Sequence, residues 1–123
     1  QPEMEQLVRV REAGFETVLN LLPPGQERVE EEGVALDLGL EYAVVPVVWL
    51  DPRPRDWERF AEVVDAHAGR PLYVHCAANM RVSAFFYLLR TRRGLCSEEE
   101  ARADMEAIWT PNPVWREFLD RMR

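Results

Sequence analysis

Val74-His75-Cys76-Ala77-Ala78-Asn79-Met80-Arg81-Val82-Ser83 is the stretch on which the reading turns, because it joins a short apolar run directly to an apolar helical segment. Upstream, Pro71 to Cys76 (PLYVHC) is short, apolar and bounded by Gly69 and Pro71, so it reads as a strand buried on both faces. Downstream, Val82 to Arg93 is apolar around most of its circumference, as expected of a helix packed centrally in a domain. A strand running into a helix through a tight loop is the unit of a parallel α/β sheet.

The same alternation extends outward in both directions. Arg55 to Ala68 places Trp57, Phe60, Ala61, Val64 and Ala68 on one helical face, and Gly69 ends it. Tyr42 to Trp49 (YAVVPVVW) is a buried strand interrupted or ended at Pro46. The acidic segment Arg28 to Leu38 reads as helix despite Gly33. Phe15 to Leu22 is a strand closed by the turn Pro23-Pro24-Gly25, and Glu3 to Ala13 is a helix stopped by Gly14. Toward the C-terminus, Ser97 and Glu100 form a capping box for a helix reaching about Trp109. Pro111-Asn112-Pro113 then breaks the chain before a last helix, Val114 to Met122. The order α, β, α, β, α, β, α, α, α predicts an α/β fold with a central, mostly parallel sheet flanked by helices. In such sheets ligands bind beyond the carboxyl ends of the strands, which is where the quoted loop lies.

Composition narrows the function classes. The 123 residues carry 47% hydrophobic and 30% charged side chains, the balance of a folded chain, and residues 1–123 read as a single domain. The longest apolar stretches, Ala43 to Leu50 and Ala84 to Leu89, are far shorter than the 18 or so residues of a bilayer span. Residues 1–5 show no secretory leader, so a cytoplasmic location is expected. A net charge of -7 argues against nonspecific nucleic-acid or anionic-membrane binding. Any bound anion must therefore be captured locally. All basic residues are Arg. Cys76 and Cys96 make no disulfide framework, and the two histidines sit in no zinc-ligand cluster, so no metal or cofactor is expected.

Chemistry concentrates in the quoted loop. A thiol at the end of a buried strand, facing the N-terminus of the next helix, meets unpaired N–H groups and the positive dipole end, which favour a thiolate and bind an anion. Asn79 tolerates the positive φ that turns successive N–H groups inward, and Arg81 offers a planar fork to two oxygens. Blander readings stand beside these. A lone Cys at a strand end is usually packing, which is the reading kept for Cys96. Asp51-Pro52 suits a helix N-cap and N1 pair, Asp56 a first-turn dipole complement, and His67 a solvated helix end. Trp57, Phe60, Trp109 and Trp115 read as core, and Arg90, Arg92 and Arg93 as complements of a helix C-terminus.

His75-Cys76, Arg81 and Ser83 resemble the signature of the protein tyrosine and dual-specificity phosphatase superfamily: His-Cys, five residues, Arg, then Ser or Thr. The likeness is greatest to its small bacterial phosphatase-like branch. Gly14 to Leu21, the strand from Tyr42 to Pro46 and Trp109-Thr110-Pro111-Asn112-Pro113-Val114-Trp115 also read like that branch. The resemblance implies a cysteine-based phosphatase-like fold, with an opening strand ahead of Gln1 that this chain does not display. It implies Cys76 as the thiolate that attacks phosphorus, Arg81 and the loop Ala77 to Ser83 as the phosphate cradle, and Ser83 as a hydrogen-bond donor to the leaving sulfur. It further implies His75 as a support for the loop and an aspartic acid on a separate loop as proton donor, for which Asp51 is the choice and Asp56 the alternative. The expected partner is a phosphorylated protein or small molecule.

One departure stands out: only four residues separate Cys76 from Arg81. A gapless alignment puts Val82 where the family arginine stands, a displacement of about 100° around a helix. That spacing also resembles rhodanese-like sulfurtransferases. Three functions therefore stay open: a cysteine-dependent phosphatase, a noncatalytic phosphate-binding pseudophosphatase module, and a sulfurtransferase.

Overall fold

Thr17, Val18, Leu19 and Asn20 are all buried, the signature of a strand sandwiched on both sides. The computed structural model describes residues 4–22, 26–76 and 79–123. In it β1 (Thr17–Asn20) lies between β2 (Glu41–Val44) and β3 (Leu72–His75) in a parallel sheet ordered β2-β1-β3. Among the described residues six helices flank the sheet: α1 (Met4–Glu12), α2 (Gln26–Asp37), α3 (Pro54–Ala66), α4 (Met80–Arg92), α5 (Glu98–Glu106) and α6 (Pro113–Met122). The turn expected at Pro23-Pro24-Gly25 lies outside the described residues.

Strand alternation divides the core in two. Val18 packs with Leu7 and Val10 of α1 and Ala35 of α2. Leu19 packs into the larger cluster built from α3 to α6, where Phe60, Phe85, Trp115 and Phe118 are fully or almost fully buried. Their rings meet edge-on or tilted, with centroids 5.3 Å apart for Phe60–Phe85, 6.0 Å for Phe85–Trp115 and 5.8 Å for Trp115–Phe118. Burying each such side chain contributes about 2–3 kcal/mol.

Several local expectations need correction. Among the described residues β3 is an edge strand, and Leu72, Tyr73 and Val74 are only half-buried rather than covered on both faces. β2 ends at Val44, yet its path continues: Val45 N–H donates to Asn20 O and Val47 N–H to Leu21 O, both at 3.0 Å. Pro46 falls between these two donors, where an edge strand needs no N–H. Asp51-Pro52 does not cap α3. The N-cap is Arg53 with Pro54 at N1, and the Asp56 carboxylate accepts the Arg53 N–H at 3.0 Å, which is half of a capping box. His67 is not a solvated helix end; it links Val63 O at 2.8 Å to Glu41 at 3.2 Å. Arg90 and Arg92 do lie in the last turn of α4 with Arg93 as C-cap, and in addition Arg90 and Arg93 pair with Asp104 and Asp65 while Arg92 lies over the Trp57 ring. Ser97 caps α5 as expected, accepting from Glu100 N–H. Gly14 and Gly69 follow helices with φ of 98° and 79°, the left-handed conformation that ends a helix at little cost in glycine.

Candidate active site

Register builds the site. His75 pairs directly with Asn20 across the parallel β1–β3 ladder, so the two side chains share the face covered by α2. Cys76, one residue on, turns to the opposite face and joins the cluster of α3 to α6, with no exposed surface. Ala77 and Ala78, expected in the phosphate cradle, lie outside the described residues. Asn79 has φ 62° and ψ 4°, the left-handed conformation anticipated for it, and forms the N-cap of α4.

The helix starts at Met80, two residues before the expected Val82, and this places Arg81 in its first turn. Arg81 is buried. Its Nε donates to the Val47 carbonyl at 3.0 Å and its guanidinium carbon sits 5.0 Å from the Trp49 ring centroid. Burial lowers the Arg81 pKa below its usual value, and the neighbouring Cys76 pulls it in the other direction. The early arginine is thus brought to face the thiol by the segment after β2. That segment is in turn fixed by Trp115, whose Nε1 donates to Trp49 O at 2.8 Å, and by stacking of Trp49 on Trp109 and Trp115 at 5.3 and 5.7 Å.

The other expected residues are placed differently. The Ser83 hydroxyl donates to Met80 O at 2.8 Å. Val82 lines a groove of about 300 Å³ between α4 and α5, which begins at Asn79 and is floored by Phe86, Met105 and Ile108. Asp51 is exposed, and its carboxylate accepts from Arg53 at 2.8 Å; it borders a depression shared with Arg55, Glu58 and Arg121. Cys76 and Arg81 are therefore brought together, and Asp51 is held by another partner. Among the described residues no group of His, Cys, Asp and Glu side chains could hold a metal ion. Among the described residues no helix is long and apolar enough to cross a membrane.

Behind the loop lies a network that the sequence did not reveal. Glu31 of α2 is fully buried, and its Oε2 accepts from His75 Nε2 at 2.9 Å, from Asn20 Nδ2 at 3.1 Å and from the Tyr42 hydroxyl. Burial, the largest single influence, raises the Glu31 pKa; hydrogen bonds from His75, Tyr42 and Asn20 together with the charge of His75 outweigh it and hold the carboxyl below its usual value. His75 Nδ1 lies 3.5 Å from the Cys76 carbonyl oxygen. Glu30, Glu31 and Glu32 form one acidic run, and nothing in it distinguishes the residue that turns inward.

A parallel sheet whose edge strand delivers a buried cysteine to a helix N-terminus, faced by an arginine of that helix, defines a cysteine-based phosphatase-like fold. Comparison with known proteins agrees. No family model matches the chain. The solved structure of a candidate phosphatase (DUF442) from Shewanella putrefaciens CN-32 is 30% identical, with a TM-score of 0.83 over 99% of this chain and 80% of that one. A candidate phosphatase from Neisseria meningitidis z2491 shares the fold at 20% identity, TM-score 0.77, covering 100% of this chain and 89% of that one. The core catalytic domain of the PP-IP phosphatase SIW14 from S. cerevisiae shares it at 16% identity, TM-score 0.78, covering 98% and 75%. Among curated proteins, the "Beta-lactamase hydrolase-like protein" of Xylella fastidiosa (strain Temecula1 / ATCC 700964) is 26% identical over 108 residues, 84% of this chain. The chain spans about a quarter of the length of that relative. The chain belongs to the family of the Shewanella candidate phosphatase (DUF442) and shares the fold of cysteine-based, tyrosine-phosphatase-like proteins.

Proposed function

We propose that this chain hydrolyses phosphomonoesters, in the manner of protein tyrosine and dual-specificity phosphatases, through a phosphocysteine on Cys76. The observation that carries the reading is the pairing of a buried thiol at the end of β3 with the buried guanidinium of Arg81 in the first turn of α4. The substrate phosphoryl group rests on the N–H groups at the start of α4, and Arg81 holds two of its equatorial oxygens. The Cys76 thiolate attacks phosphorus, the bond to the ester oxygen breaks, and Asp51, released from Arg53, supplies the proton to the departing alcohol. Water then attacks the phosphocysteine, releasing inorganic phosphate and the thiolate, with the Ser83 hydroxyl turning from Met80 O to the sulfur. Purified protein is expected to turn over an aryl phosphate between pH 5 and 8, and Cys76→Ser to abolish it. Oxyanion protection against unfolding without turnover would instead support the noncatalytic module.

A specific observation favours a second reading, sulfur transfer. Arg81 follows Cys76 after four residues, and the acid candidate Asp51 is exposed and paired with Arg53. Attack of the thiolate on the outer sulfur of thiosulfate breaks the S–S bond and leaves a cysteine persulfide and sulfite, which departs without a proton. Incubation with thiosulfate separates the readings: a persulfide on Cys76 supports this one, and an unmodified Cys76 removes it.

A further inference from the structure

We infer that Glu31 is a positioning residue for Cys76, acting through His75 from the opposite face of the sheet. The inference rests on Cys76 being the nucleophile of the site. Glu31 stands 44 residues before His75 and reaches it only because α2 covers the face onto which Asn20 and His75 project. A buried carboxylate is expensive unless its oxygens are satisfied, and an apolar residue of similar volume would pack there at less cost. Here three donors converge on Oε2, while Oε1 is buried with no partner among the described residues. The arrangement spends its hydrogen bonds on one oxygen, the one that holds His75.

Both ring nitrogens of His75 face oxygen atoms, Nε2 toward Glu31 at 2.9 Å and Nδ1 toward the Cys76 carbonyl at 3.5 Å. Nε2 donates to the Glu31 carboxylate, and that buried bond fixes the ring behind the Cys76 carbonyl. Glu31 from α2 and Tyr73 from its own strand, ring centroids 6.0 Å apart, face the His75 ring, while Tyr42 from β2 and neutral Asn20 from β1 hold the same Glu31 oxygen. Arg81 faces the sulfur from α4. Cys76 is then held between Arg81 on its own face of the sheet and His75 behind it, and Glu31 fixes the position of His75.

The test uses the full chain carrying Cys96→Ser, so that only Cys76 reacts, and follows its alkylation by iodoacetamide across pH by mass spectrometry. Glu31→Gln keeps the shape and removes the charge. It is expected to slow alkylation about tenfold on the acid limb, moving the half-maximal point up by about one pH unit. Glu32→Gln, one residue along the same helix, is expected to leave the profile unchanged. A folded Glu31→Gln protein with the parental profile, or an equal loss in Glu32→Gln, overturns the inference. If Glu31→Gln does not fold, nitrogen NMR of His75 in the parent decides: a proton on Nε2 hydrogen-bonded to Glu31 upholds it, and an unprotonated Nε2 overturns it. A parent whose Cys76 never alkylates removes the nucleophile reading itself, which the other outcomes leave standing.

Discussion

Replacing Arg81 with lysine keeps the positive charge and removes the planar fork. In the native protein the Nε–Val47 O bond of 3.0 Å is buried, and the guanidinium sits against Trp49. Lysine cannot donate to Val47 O and reach the thiol in the same plane, so a buried carbonyl loses its partner, at about 1–3 kcal/mol. For a domain of this size that is a fall in Tm of roughly 4–12 °C. The effect on the anion is separate. Exchanging a bidentate clamp for a single charged donor forfeits about one charge-assisted hydrogen bond, or about 1.5–3 kcal/mol, which weakens oxyanion binding about 10- to 100-fold. Thermal melts of both proteins with increasing inorganic phosphate read the two effects together, since ligand protection follows concentration over Kd. Arg81→Lys is expected to melt lower without phosphate and to gain little when it is added. A variant that melts lower but is protected as well as the parent would refute the reasoning, leaving Arg81 as a brace for the Val47–Trp49 segment alone.

Asp51→Asn is expected to reduce turnover of an alkyl phosphate about 100-fold and that of a nitrophenyl phosphate far less, because only the former leaving group needs a proton; equal losses in steady-state kinetics would remove Asp51 as the acid. Trp115→Ala should destabilise the chain by about 3–5 kcal/mol in urea unfolding, since it empties the centre of the aromatic cluster and frees the Trp49 carbonyl; a loss under about 1 kcal/mol would contradict that packing. Glu31 has a folded-state pKa below its ordinary 4.5, so its contribution to stability is present above that value and fades as pH falls through the lower folded one. Stability curves of the parent and Glu31→Gln should therefore converge in acid, and a constant gap down to pH 2 would disprove the linkage.

The α/β order was legible because each strand is short, apolar and punctuated by Gly or Pro, and each helix has a period or a cap. Thr17–Asn20, Pro54–Ala66 and Pro113–Met122 fall within two or three residues of the expected elements. Boundaries shifted where side chains compete for caps: Asp51-Pro52 carries the stronger cap signal, and the Asp56 carboxylate on the Arg53 N–H moves the start to Arg53-Pro54. The pairing of Cys76 with Arg81 was legible from their shared loop. How an arginine one residue early reaches the thiol was not, because Val47 and Trp49 act from more than thirty residues upstream. Glu31 was hidden for the same reason. Its inward turn depends on the register of Asn20 and His75, a relation between two strands that no local pattern encodes.

The central claim is that the sulfur of Cys76 takes up the phosphoryl group. Rapid acid quench of the protein with an aryl phosphate, followed by peptide mass spectrometry, reads this directly. A phosphoryl adduct on the peptide bearing Cys76, absent in Cys76→Ser, is the expected result; phosphate release with Cys76 unmodified throughout would contradict it.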